Sequence, residues 1–277
     1  MPSDPQSDQI IPHVEGFFHA ASNTISYVVK DPQSNACAII DSVLDLDYAA
    51  GKIAYTHADM IIDYVEKNKL NLKFILNTHH HFDHVGGNLE LKDKYNLLIA
   101  GNENDKKRIP GIDIFLNETE KFVFNSHEFQ VINTPGHTSD CISFYVKSMK
   151  SVFTGDAVFS LGCGRLFEGS PNEMWKSICK IKSLPDDTNI FCGHEYTMNN
   201  AIFTKAIIDN EAIDLKIREI KKLRSNNIPT IPTTIAAEKK LNIFFQADRD
   251  EIKSLFSKEL INDEEAFKMI RLAKDNF

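Results

Sequence analysis

The stretch Thr78-His-His-His-Phe-Asp-His84 crowds four imidazoles and one carboxylate into seven residues. Imidazole nitrogen and carboxylate oxygen are the ligands of hydrolytic zinc and iron sites, which keep a position open for water. A lone histidine is ordinarily a surface or satisfied core residue, whereas the spacing H-x-H-x-D-H is that of a ligand cluster. In an extended segment alternate residues point the same way. His79 and His81 can therefore grip one ion, while Asp83 and His84, just round the bend, reach a second. His80 is out of phase with its neighbours and is expected behind the ligands or in solvent.

Three further candidates stand alone. They are His137 in Thr134-Pro-Gly-His-Thr138, Asp156 in Thr154-Gly-Asp156 and His194 in Cys192-Gly-His-Glu-Tyr196. Each lies beside a glycine, the residue that lets a backbone turn tightly. His13, His19, His57 and His127 have no such context and are expected to be ordinary.

The elements that must hold these residues follow from periodicity. Phe74-Ile-Leu-Asn77 reads as a buried strand ending where the cluster begins. The same arrangement recurs at Val131-Ile-Asn before Thr134, at Ser151-Val-Phe before Thr154 and at Asn189-Ile-Phe-Cys before Gly193. Thr24–Val29 and Ala36–Ile40 predict a hairpin across the turn Asp31-Pro-Gln-Ser-Asn35. Met60, Ile61, Tyr64 and Val65 stand at helical spacing. Ser170-Pro-Asn-Glu173 opens a helix with a capping box that would turn Trp175, Ile178 and Ile181 to the core. Beyond Tyr196 the pattern becomes helical. Ile213, Ile217, Ile220 and Leu223 share one face, Pro229 and Pro232 fall in a connection, and a last helix holds Phe267 and Ile270. The expected organisation is a catalytic domain over residues 1–196 and a helical domain over 197–277, of class α+β.

Composition narrows the functions. The chain has 277 residues and is 42% hydrophobic and 25% charged, which is enough for a substantial core. A net charge of -8 opposes an open nucleic-acid surface but leaves room for a local basic pocket. Met1–Ile10 has neither a basic start nor an apolar run, and no stretch approaches the roughly 18 apolar residues of a membrane span. Cys37, Cys141, Cys163, Cys179 and Cys192 are odd in number and form no C-x-x-C pair. They are expected reduced, in a cytoplasmic protein without membrane or nucleic-acid partners. The state is expected to be a monomer or small homo-oligomer.

The order H-x-H-x-D-H, His, Asp, His resembles the metallo-β-lactamase superfamily over about residues 15 to 195. That resemblance implies a four-layer αββα sandwich. It makes His79, His81 and His137 ligands of a first metal and Asp83, His84 and His194 ligands of a second, with Asp156 bridging. Gly162-Cys-Gly-Arg-Leu-Phe-Glu-Gly169 and Cys192-Gly-His-Glu-Tyr-Thr197 are similar to glyoxalase II, the hydroxyacylglutathione hydrolases of bacterial type, which carry an appended C-terminal helical domain. The end Arg271-Leu-Ala-Lys-Asp-Asn-Phe277 resembles that family's R-x-x-K-D-x-F. It implies that Arg271 and Lys274, three apart on one helical face, bind the glutathione carboxylates. By the same likeness Arg165 and Tyr196 contact glutathione, and Phe167 stands where some members have a tyrosine hydroxyl.

The implied reaction is hydrolysis of an S-(2-hydroxyacyl)glutathione, such as S-lactoylglutathione, to a 2-hydroxy acid and glutathione, the detoxifying step for methylglyoxal. Two divalent ions, zinc first with iron or manganese as alternatives, would lower the pKa of a shared water toward ~7. Asp83 would orient the resulting hydroxide as well as bind metal. Thiols ionise near ~8.5, so the thiolate leaves readily without a dedicated general acid. Two other readings stay open. Val14–Phe18 and Ala38–Asp45 are similar to the persulfide dioxygenases of the same superfamily, which use one iron, and the fold could bind metal without turnover. Gly86-Gly87, Arg165–Gly169, Glu195 and the terminal basic pair favour the hydrolase.

Overall fold

The computed structural model describes residues 13–31, 33–47, 50–118 and 121–277. The expectations for Met1–Ile10, and for Pro32 in the first turn, lie outside those residues.

In the first half, β1 (Val14–His19), β2 (Thr24–Lys30) and β3 (Ala36–Ile40) form an antiparallel meander that contains the expected hairpin. A short pair, β4 (Asp45–Asp47) and β5 (Lys52–Ala54), leads into α1 (Thr56–Lys67). The chain returns as β6 (Asn71–Leu76), parallel to β3. The single turn α2 (Phe82–Val85), then α3 (Asn88–Tyr95), β7 (Leu98–Asn102) and β8 (Ile114–Leu116) complete a six-stranded sheet ordered β1-β2-β3-β6-β7-β8. The buried stripe of α1 is Ala58, Ile61, Ile62 and Val65. That spacing of three and four turns Met60, expected on the apolar face, out to solvent.

In the second half, β9 (Lys121–Phe124), β10 (His127–Asn133), β11 (Ile142–Val146) and β12 (Ser151–Gly155) pair antiparallel in sequence. A small hairpin, β13 (Val158–Phe159) and β14 (Gly162–Cys163), precedes α4 (Pro171–Lys182) and β15 (Asn189–Cys192), which lies parallel to β12. The capping box of α4 forms as expected, with the Ser170 hydroxyl and the Glu173 carboxylate each accepting from the other's backbone N–H. Then come α5 (Thr197–Ile207), α6 (Glu211–Ser225), β16 (Thr233–Thr234), α7 (Ile235–Leu241), α8 (Asp250–Phe256) and α9 (Asp263–Asp275). The second sheet is ordered β16-β15-β12-β11-β10-β9. The region beyond Tyr196 is thus not purely helical. The segment around Pro229 and Pro232, whose rings favour extended backbone, ends in a two-residue strand along β15.

The sheets face each other across Tyr27, Leu76, Phe129, Phe144, Phe153 and Phe191. Ile61, Val65 and Leu91 close the outer face of the first sheet, and Ile178 with Phe267 and Ile270 closes that of the second. This is the αββα sandwich with C-terminal helices. Among the described residues no helix is long and apolar enough to cross a membrane.

Strand direction decides where the candidates go. β3 and β6 run parallel. β10, β12 and β15 share a direction, because β10 and β12 are both antiparallel to β11 while β15 is parallel to β12. Their carboxyl ends carry Asp41, the 78–84 segment, His137, Asp156 and His194. The backbone bond from Ile25 N–H to Gly193 O, at 2.8 Å, joins the two sheets there.

Candidate metal centre

His79, His81 and His137 bring one ligand atom each within 4.8 Å of one another, and so do His79, His84 and Asp156, and Asp83, His84 and His194. All seven sequence candidates for metal binding therefore meet in one place. Two glycines make the approach possible. Gly155 sits at φ +49°, and a Cβ on Gly193 would run into the Asp156 carboxylate and the His84 ring.

The donor atoms fit metal ions. Nε2 of His79 and Oδ1 of Asp156 are buried without a hydrogen-bond partner, and such orphaned polar atoms are costly unless something coordinates them. Ring nitrogens face each other at 3.0 Å between His81 and His137 and at 3.4 Å between His84 and His194. Five imidazoles with two carboxylates form a hard-to-borderline donor set suited to zinc, iron or manganese.

The electrostatics divide the candidate ligands into lowered and raised groups. Burial, with the neighbouring imidazoles, holds His79 well below the usual histidine range and His81 down at about 4, so both stay neutral with a lone pair free. Burial also lowers His137. For His84 burial is outweighed by the carboxylates of Asp41, Asp156 and Asp83, which lift it to about 10. Asp156, despite its burial, is held well below the carboxylate range by His194, His84 and His137.

Several supporting residues carry no sequence signature. Asp41, at φ +55°, accepts from Thr78 N–H and Thr78 Oγ1 and lies 2.8 Å from His84 Nδ1. Thr24 Oγ1 donates to Asp83 Oδ2 at 3.1 Å. Behind Thr24, hydroxyl and ring contacts run through Ser22 to His19 and on to Asp45, and Asp45 also accepts from His57 N–H. His19 is therefore not ordinary, whereas His57 enters only through its backbone N–H, its ring lying 3.2 Å from Ser26 Oγ. Both are buried, and the contacts of His19 end on a candidate metal-site carboxylate, Asp83. His127 is a buried core histidine beside Ser148. His80 lies behind the ligands, 3.4 Å from Asp105 and 3.5 Å from Glu168.

A cleft of about 690 Å³ is lined by His81, Asp83, Asp156 and His194 together with Arg165, Arg271, Lys274 and Phe277. The Tyr196 ring stacks on His194 at 4.7 Å, and burial with Asp156 and Asp83 pushes its hydroxyl up to about 12. Phe167 is exposed, its ring 5.2 Å from His137 and 5.6 Å from His81. Arg165 is also exposed. The two terminal cations differ. Arg271 is buried, donating to Cys163 O and Asp275 and stacked over Phe244. Lys274 is half-buried, donates to Asn199 O and is lowered to about 8 by burial and by Arg271 and Arg165.

Residues 21–194 match the Metallo-beta-lactamase superfamily, and residues 195–277 match the Hydroxyacylglutathione hydrolase C-terminus. The chain is 41% identical to the hydroxyacylglutathione hydrolase of Pelagibacter ubique over 253 residues, covering 91% of this chain and 95% of that one. It belongs to the hydroxyacylglutathione hydrolases of the metallo-β-lactamase superfamily. The hydroxyacylglutathione hydrolase of Brucella ovis is likewise 41% identical, over 94% of this chain and 96% of its own. Among solved structures, ETHE1 from Myxococcus xanthus superposes with a TM-score of 0.64 at 24% identity, covering 95% of this chain and 96% of that one. That likeness shows the sandwich fold.

Proposed function

We propose that the protein hydrolyses S-(2-hydroxyacyl)glutathione thioesters, S-lactoylglutathione among them, to a 2-hydroxy acid and glutathione, as its hydroxyacylglutathione hydrolase relatives are named for. The observation that carries this reading is one cleft lined both by the histidine–aspartate cluster and by the cations of the last helix. Its roughly 690 Å³ suits a tripeptide-sized ligand.

His79, His81 and His137 would hold one divalent ion and Asp83, His84 and His194 the other, with Asp156 shared. Such a pair supplies a nucleophile at neutral pH and polarises the thioester carbonyl. We assign zinc first, with iron and manganese served by the same donors. Asp83, held by Thr24, would accept a proton from the attacking water and fix its direction. Lys274 and Arg165 would receive the glutathione carboxylates, while Phe167 and Tyr196 form apolar walls. Arg271, which lines the same cleft, would join Lys274 on the glutathione carboxylates while its guanidinium also fixes the Cys163 carbonyl. The division into a catalytic part to residue 196 and a substrate-binding part from 197 belongs to this reading. So does a cytoplasmic location, supported by five free cysteines, four of them buried.

The test is to purify the protein, count its metals and assay S-lactoylglutathione hydrolysis beside oxygen uptake on glutathione persulfide. Thioester hydrolysis with two metals per chain is expected. Oxygen uptake with one iron and no hydrolysis overturns the assignment.

A further inference from the structure

His80 is the one histidine of the opening cluster without a place among the candidate ligands, and its surroundings explain it. Behind it the Arg108 guanidinium meets three carboxylates: Asp105 at 2.6 Å, Asp140 at 2.8 Å and Glu168 at 2.8 Å. Glu168 also accepts from Ser139 N–H at 2.8 Å and from Ser139 Oγ at 2.9 Å. The His80 ring lies between buried Asp105 and Glu168.

Glu168 belongs to the segment 165–169, which has no helix or strand of its own. Its backbone is tied to the segment carrying His137. Phe167 N–H donates to His137 O at 3.2 Å, Gly169 N–H donates to Gly136 O at 3.1 Å, and Arg165 O lies 2.8 Å from His137 Nδ1. An irregular segment keeps its position only through such bonds. One exposed ion pair contributes little, but three carboxylates around one planar guanidinium fix direction as well as distance. What this network sets in place is the pair facing the cleft, Arg165 and Phe167.

We propose that Arg108, Glu168 and His80 form a clamp that positions the 165–169 segment for recognition of the glutathione part of the substrate. The clamp rests on the function proposed above. Its members are positioning residues. They touch neither substrate nor reacting atoms, and they act through Arg165 and Phe167.

The test compares two thioesters, S-lactoylglutathione and the truncated S-lactoyl-N-acetylcysteamine, which lacks both glutathione carboxylates. In Glu168→Gln and Arg108→Ala the ratio of kcat/KM for the full over the truncated substrate is expected to fall about tenfold, carried by KM, because orientation of remote binding groups is lost. Arg108→Lys, which keeps the charge without the fork, is expected to fall between them and the parent. Lys121→Ala, which removes a surface pair with Glu128, leaves the ratio unchanged. A merely structural brace would lower activity on both substrates alike, so an unchanged ratio in Glu168→Gln overturns the clamp, even if Arg108→Ala fails to fold. If the parent hydrolyses neither thioester, the proposed reaction is wrong and the clamp is read by calorimetry with S-methylglutathione. A roughly tenfold weaker Kd in Glu168→Gln then supports it, and equal affinities, or no binding by the parent, overturn it.

Discussion

Asp41 Oδ2 lies 2.8 Å from Nδ1 of His84, a residue 43 positions further along the chain. The contact fixes the imidazole so that Nε2 points into the metal-type cluster, and it explains why His84 is lifted rather than depressed. Replacing Asp41 by Ala removes the orienting acceptor and leaves the Thr78 N–H without its partner. Loss of such an outer partner typically costs about 10- to 100-fold in metal affinity. Chelator titration of Asp41→Ala against the parent checks this, and equal affinity for both metals would remove Asp41 from the site.

Thr24 holds Asp83 from the other side. Thr24→Val keeps the shape and deletes the donor. It is expected to lower kcat by roughly tenfold while metal content stays near that of the parent, since the carboxylate loses direction rather than charge. Single-turnover kinetics with metal analysis measure both. A variant with parental kcat would show that the Thr24 bond does not matter to the reaction.

Lys274 gives a pH signature. Burial, Arg271 and Arg165 bring it to about 8 from 10.5, so it is a cation below pH 8 and neutral above. KM for an anionic thioester is therefore expected to rise as pH climbs through about 8. Lys274→Arg, whose guanidinium stays charged, flattens that rise. The sign for stability is opposite to that for binding. The unfolded chain holds this proton more tightly, so the group disfavours the fold below pH 8 and the penalty fades as pH rises toward 10.5. KM profiles from pH 6 to 10 separate this from any change in kcat.

The terminal cations should fail differently when removed. Lys274→Ala is expected to raise KM with little loss of stability. Arg271→Ala leaves the Cys163 carbonyl without its donor inside the fold, at a cost of about 1–3 kcal/mol. Thermal melts beside kinetics distinguish the two, and parental stability in Arg271→Ala would contradict the structural role given to it.

Metal removal is also a folding experiment. Because the candidate ligand atoms crowd one another only in the fold, ions are expected to bind the native chain more tightly than the unfolded one. Each site at a hundredfold excess over Kd adds about 3 kcal/mol. Chelation is expected to lower Tm, and readdition to restore it in a concentration-dependent way. A Tm indifferent to metal would speak against the assigned ligands.

Reading the sequence reached the residues whose role is local. H-x-H-x-D-H is legible because both the types and the alternation lie within seven residues, and the glycine-flanked His137, Asp156 and His194 follow β-rich runs. Asp41 and Thr24 were not legible, since each is a single polar residue at a strand's edge whose partner is brought by packing from 43 or 59 positions away. His19 looked ordinary for the same reason. Met60 was placed inward because one apolar residue beside a stripe cannot be told from a member of it. Arg271 and Lys274 share a face and a charge, and only the packing of the Arg271 guanidinium on Cys163 and Phe244, with the Lys274 amine left beside Asn199, separates the buried cation from the half-buried one.

The two residues of β16 have a bearing on how this protein tolerates being cut. They occupy the rim of the second sheet, with Asn189 and Ile190 paired to Thr234 and Thr233, while Trp175 and Ile178 of α4 lie in one apolar cluster with Phe267 and Ile270 of α9. Excising everything after Glu195 would bare an unsatisfied strand and an oily helical face together, the pairing that seeds intermolecular sheets. The segment proposed to receive substrate is also the seal on the sandwich, so evolutionary shuffling of one without the other would have to supply a new seal first.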